Sequence, residues 1–115
     1  ASGDLRRTHP RFQGEAWVRN LQRLQAFAVL AREAGCTPPA FALAWLLARG
    51  PHVIPIPGTT SLDHLRDDLG AARLRLPAHL MEAAESLFPA DACGPRYPAA
   101  SQSEVDTEQF GAVGV

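Results

Sequence analysis

The sequence contains no lysine, and all 11 of its basic residues are arginine. Neither a Schiff-base amine nor the lysine of a phosphate-binding P-loop can therefore come from this chain. Cysteine is nearly as scarce. Cys36 and Cys93 form no CxxC pair and have no histidine at metal-ligand spacing, so the expectation is two reduced thiols in a cytoplasmic protein, with neither disulfide nor metal site. An excess of one charge is missing too, with 11 basic residues against 12 acidic. That balance removes the electrostatic footprint of a nucleic-acid or acidic-membrane binder. No apolar run reaches membrane-spanning length, and Ala1-Ser2-Gly3-Asp4 carries no apolar signal region. There is no internal repeat. The chain opens mid-pattern without an initiator Met, and we expect it to be cut from something longer.

What is present suffices for one core: 115 residues, 46% of them hydrophobic. The bias toward Arg, Ala, Gly and Pro is that of a GC-rich bacterial coding sequence. Residues 1–14, with Pro10 and Gly14, read as an irregular lead-in, residues 15–88 as the ordered body and 89–115 as a Pro-, Gly- and Ser-rich tail anchored by Tyr97, Val105 and Phe110.

Within the body, a helix is predicted from Glu15, with Trp17, Leu21, Leu24, Ala28 and Ala31 on one face and Phe27 and Leu30 beside it. Gly35 stands where a left-handed cap would end it. Thr37 then fits an N-cap and Pro38 the first helical position, where its missing N–H costs nothing. Residues 40–48 are apolar on every side, the pattern of a helix covered on both faces. Another helix is predicted over Leu62–Ala72, capped by Ser61, with Leu62, Leu65 and Leu69 as its buried stripe and His64, Asp67 and Asp68 on another face. Pro77 opens a last one, Ala78–Leu87, with Leu80, Ala83, Ala84 and Leu87 inward.

Strands are the conspicuous shortage. Val53–Ile56 alone reads as one, and a strand needs partners for its backbone donors and acceptors. Pro55 and Pro57 both withhold their donors from the same edge. After this run come Pro57-Gly58-Thr59-Thr60-Ser61 and a helix start. A helix N-terminus is a general anion site, but by residue type and spacing alone an ordinary strand-to-helix turn is the favoured reading.

Read together, Pro10-Arg11-Phe12-Gln13-Gly14-Glu15, Gly35-Cys36-Thr37-Pro38, Ala42-Leu43-Ala44-Trp45-Leu46-Leu47-Ala48 and Ile54-Pro55-Ile56-Pro57-Gly58-Thr59 resemble the C-terminal part of an aldo-keto reductase. The resemblance continues to Arg96-Tyr97-Pro98. It implies an α/β fold, a C-terminal fragment of a (β/α)8 TIM barrel, mostly helical with one barrel strand at 53–56. Trp17–Ala34 and Ala78–Leu87 then resemble the family's two extra helices, Thr37–Ala48 the seventh barrel helix and Leu62–Ala72 the eighth. Barrel sites lie at the C-terminal ends of strands, where Pro57-Gly58-Thr59 falls.

The resemblance also implies an oxidoreductase that reduces aldehydes or ketones with NADPH. The family's catalytic Asp, Tyr, Lys and His lie on earlier strands, so no catalytic residue carries over; Tyr97, the only tyrosine, is not assigned as proton donor. The positions implied to hold the adenosine phosphate of the cofactor are Ile56, Pro57, Gly58, Thr59, Thr60, His64, Asp67 and Asp68. Three departures bear on this. Thr60 stands where relatives often place Arg or Lys, His64 where Arg or Gln is common, and Asp67-Asp68 replaces a Glu-Asn pair. Asp68 thereby lacks an amide donor, and Asp63 in the first turn opposes a phosphate. NADH stays open beside NADPH, and a 2′-phosphate preference is put in question.

Other readings carry less. His64, Asp67 and Asp68 on one face are more simply a solvated stripe than a metal site, and Trp17, Phe27, Phe41 and Trp45 at helical spacing are core anchors before they are a pocket. Arg96 and Tyr97 either touch a substrate mouth or merely lie on the surface. A helix-turn-helix reader fits poorly, given the intervening strand and Asp63, Asp67 and Asp68, which would face phosphates. The main alternative is a non-catalytic enzyme relic that self-associates through its strand edge and apolar helix as a binding scaffold. The expected partners are a nicotinamide cofactor and a small carbonyl substrate, with neither nucleic acid nor membrane.

Overall fold

The computed structural model describes residues 3–89 and 93–104, the side chain of Leu5 excepted. The chain divides into two compact units, residues 25–87 and the pair of segments 1–24 and 88–115. The division falls within the first helix, α1 (Gly14–Glu33).

The unit 25–87 holds the second half of α1, α2 (Pro38–Leu47), α3 (Leu62–Gly70) and α4 (Ala78–Leu87). α1 ends at Gly35, whose φ of 71° is the left-handed conformation predicted for that glycine. Gly35 N–H donates to the Arg32 carbonyl and Cys36 N–H to the Ala31 carbonyl, so two otherwise orphan helix-end acceptors are satisfied in a Schellman turn. One residue later Thr37 caps α2: its hydroxyl accepts from Ala40 N–H at 3.2 Å, with Pro38 entering the helix behind it. The link from α1 to α2 is short because both of its ends are capped locally.

α2 is the centre of this unit. Phe41 is fully buried and, with Ala31, Leu80 and Ala84, forms the core, surrounded by Phe27, Leu30, Ala34, Cys36, Trp45 and Leu76. Phe27 meets Phe41 edge-on at 5.1 Å, an arrangement favoured by the ring quadrupoles. Burying one such ring contributes roughly 1.5–3 kcal/mol. The buried alanines Ala40, Ala44 and Ala71 let α2 approach α3 and the 3-10 turn Ala71–Arg73 closely. At its far end, Arg49 lies over the Trp45 ring at 4.6 Å and pairs with Glu85 of α4.

Several expectations change here. Residues 53–59 are assigned no strand, since no described segment lies beside them to complete a ladder. The Leu62, Leu65 and Leu69 stripe is not buried: these residues are 71%, 42% and 67% exposed, and Ile54 and Ile56 are 81% and 92% exposed. α3 meets α2 through another face, and the described residues leave Leu62 and Leu69 mostly uncovered. α2 is likewise covered on one side only, with Ala42, Leu46 and Leu47 exposed. On α1, Ala31 is buried as expected, but Trp17 and Leu24 are exposed.

In the other unit, the lead-in is more regular than predicted. It forms 3-10 turns at Leu5–Thr8 and Pro10–Phe12. Asp4 caps the first of these, accepting from the Arg6 N–H at 3.0 Å and from its guanidinium at 2.9 and 2.7 Å. These bonds, the guanidinium first, hold the Asp4 carboxyl down at about 2. Asn20 donates its amide to the Arg11 carbonyl, Arg11 Nε donates to the Gly94 carbonyl, and Tyr97 meets the His9 ring edge-on at 5.4 Å. A short helix, α5 (Ala99–Gln102), follows. The expected anchors Val105 and Phe110 lie outside the described residues.

Two outcomes follow from the caps. Thr37→Ala should cost about 1–2 kcal/mol in chemical denaturation, while Thr37→Ser, which keeps the hydroxyl, should recover most of it. Because the folded pKa of Asp4 lies below its ordinary value of 3.8, its contribution is complete above that pH and disappears as pH falls toward about 2. Carboxyl NMR should show this low midpoint in the wild type and a return toward 3.8 in Arg6→Ala.

Candidate functional site

The loop that leaves residues 53–56 is ordered by its own hydroxyls. Thr59 Oγ1 accepts from Ser61 N–H at 3.1 Å, and Ser61 Oγ accepts from His64 N–H at 3.4 Å. Ser61 has extended backbone, φ −108° and ψ 129°, as an N-cap requires, so the chain turns from the loop into α3 at this residue. Helical spacing then puts His64, Asp67 and Asp68 on one side of α3, three and four residues apart.

That side of α3 faces the start of α2. Thr37 uses its single hydroxyl twice, accepting from Ala40 N–H within α2 and donating to the carboxylate of Asp67. The same threonine thus starts α2 and ties it to α3. Between the helices and the loop lies a groove of about 400 Å³, lined by Pro39, Ala42 and Leu43 of α2, by Pro57, Gly58 and Thr59, and by His64, Asp67 and Asp68. Its α2 side is apolar and its α3 side carries two half-buried carboxylates and an exposed imidazole.

Six of the predicted site residues are therefore brought together: Pro57, Gly58, Thr59, His64, Asp67 and Asp68. Ile56 and Thr60 are not among the lining residues, and both are exposed. Gly58 is one of the lining residues, and a Cβ built on it would meet nothing within 4 Å. Sequence reasoning missed Pro39, Ala42 and Leu43, the apolar wall. The signal was in α2, whose all-round apolar pattern left a face with no assigned cover.

Asp67 also borders a second groove, of about 530 Å³, with Arg32, Cys36, Thr37 and Arg66 along it. Burial, and then the Asp67 charge, push the Cys36 thiol above its ordinary range, which keeps it protonated and a poor nucleophile at neutral pH. Cys36 and Cys93 are both free thiols. Among the described residues, no three His, Cys, Asp or Glu side chains group closely enough to hold a metal ion, and no helix is long and apolar enough to cross a membrane.

Comparison with known proteins bears on what such a groove is for. The chain is 36% identical over 104 residues to the NADP(+) aldo-keto reductase yakc of Schizosaccharomyces pombe, which covers 90% of this chain and 31% of that protein. It is 38% identical over 92 residues to the probable aldo-keto reductase 1 of Glycine max, covering 79% and 27%. The chain thus spans about a third or less of the length of these relatives. No solved structure matches it significantly. The sequence profile of the Aldo/keto reductase family matches residues 2–88, and the chain belongs to that family.

Proposed function

We propose that this chain supplies the adenosine end of the nicotinamide-cofactor site in an enzyme that reduces aldehydes or ketones. The observation that carries the reading is the groove, in which a Pro57-Gly58-Thr59 loop and the polar face of α3 converge, in a chain of the aldo/keto reductase family. An adenosine is a flat apolar ring joined to a polar sugar. The groove offers Pro39, Ala42 and Leu43 to the ring and, opposite, carboxylates able to accept from ribose hydroxyls. Gly58 gives the loop backbone room for close approach.

When bound, the nicotinamide supplies a hydride to the carbonyl carbon. Residues 56–60 with His64, Asp67 and Asp68 bind and orient; none is assigned a proton-transfer role, and the groups that do that chemistry belong to parts of the fold outside this sequence. The exposed face of Ile54, Ile56, Leu62, Leu65 and Leu69 is, in this reading, the surface that the rest of a (β/α)8 barrel covers.

The exposed apolar face also favours a second reading, a non-catalytic relic that self-associates. In that case the full natural chain would form concentration-dependent oligomers in sedimentation velocity and reduce no carbonyl substrate; a monomer that reduces aldehydes disposes of it.

The first reading is tested at Gly58. Gly58→Leu should weaken reduced-nicotinamide binding about tenfold or more, as read by cofactor fluorescence in the full natural protein, with circular dichroism checking that the variant keeps its fold. Unchanged binding would place the adenosine elsewhere.

A further inference from the structure

The groove's charges fit one kind of adenosine and not another. Among the described residues, its lining contains two carboxylates, Asp67 and Asp68, and no arginine; His64 is its one basic side chain, and the chain has no lysine to reach in. The neighbouring charges on α3 are Asp63 and Arg66, which pair with each other at 3.0 Å. A 2′-phosphate carries nearly two negative charges at neutral pH and is recognised by forked arginine donors or by lysine. Neither lines this groove.

The helix N-terminus is in part already engaged. Ser61 N–H is donated to Thr59 Oγ1 and His64 N–H to Ser61 Oγ, so two donors at this end are already engaged. Asp63 occupies the first turn and offsets the positive end of the dipole. A vicinal ribose diol presents the complementary chemistry, since its two hydroxyls donate and carboxylates accept. Asp67 is itself held by the Thr37 hydroxyl, which fixes one acceptor before a ligand arrives, and Asp68 stands next to it on the groove side.

We infer that the groove selects the unphosphorylated adenosine, so that the protein prefers NADH over NADPH because no arginine or lysine lines the groove and Asp68 adds a second carboxylate to it. This rests on the reading of the groove as the adenosine site. Selection of this type is by an unfavourable contact against the competitor as well as a favourable one to the ligand, and it has its own salt signature. Repulsion is screened by added salt, so NADPH binding strengthens as ionic strength rises; an attractive phosphate site would weaken instead.

The test is a pair of fluorescence titrations, NADH and NADPH, on the full natural protein at low and high salt, repeated with His64→Arg. We expect NADH to bind about tenfold or more tightly than NADPH at low salt, the difference to narrow at high salt, and His64→Arg to strengthen NADPH binding selectively. Equal or tighter NADPH binding by the wild type, or NADPH binding that weakens with salt, would overturn the preference and leave the adenosine site standing. Failure of both nucleotides to bind, or indifference of both to His64→Arg and Gly58→Leu, would remove the site itself.

Discussion

A single hydroxyl holds the candidate site together. Thr37 caps α2 through Ala40 N–H and donates to Asp67 on α3, so the position of one helix start and the position of one groove wall depend on the same side chain. The dependence is geometric. α2 begins where α1's left-handed Gly35 turn releases the chain, and only Cys36 and Thr37 lie between that glycine and Pro38. Were Thr37 free to rotate, the capping donor would lose its partner and Asp67 would keep its charge with nothing to orient it. The groove between Pro39, Ala42, Leu43 and the α3 face lies between two helices that pack against each other and share this hydrogen bond.

The second constraint is the imbalance of apolar surface. α2 buries Phe41, Ala40 and Ala44 against α1, α4 and the 3-10 turn, yet Ile54, Ile56, Leu62 and Leu69 stay in water. Scattered exposed apolar residues are ordinary, but a run along one loop and one helix face marks a surface that some other structure covers. Family membership gives the physical reason. In a (β/α)8 barrel a strand is completed on both edges by its neighbours and the following helix covers the sheet. Residues 53–59 have the composition of such a strand and form no ladder among the described residues.

Much of the local structure was legible in the sequence because it is decided within a few residues. Gly35, Thr37 with Pro38, and Ser61 all act where their residue types predict, since caps are satisfied by atoms one to five positions away. The buried positions Ala31, Leu80 and Ala84 also follow from helical period. The buried stripe on α3 and the two-sided cover on α2 did not, because period tells which residues share a face and not what lies against it. The site divides in the same way: His64, Asp67 and Asp68 share a face by spacing alone, whereas nothing in their spacing announces Pro39, Ala42 and Leu43.

By itself, then, the sequence determined the family, the helices and their caps, and the absence of lysine. Only the tertiary structure decided which wall the loop faces, that Thr37 grips Asp67, that Ile56 and Thr60 fall outside the groove, and that residues 53–59 form no ladder among the described residues. The difference is one of range. Caps and amphipathic faces are written in neighbours along the chain, but a groove is a meeting of segments some twenty residues apart, and a strand is completed by whatever backbone lies beside it.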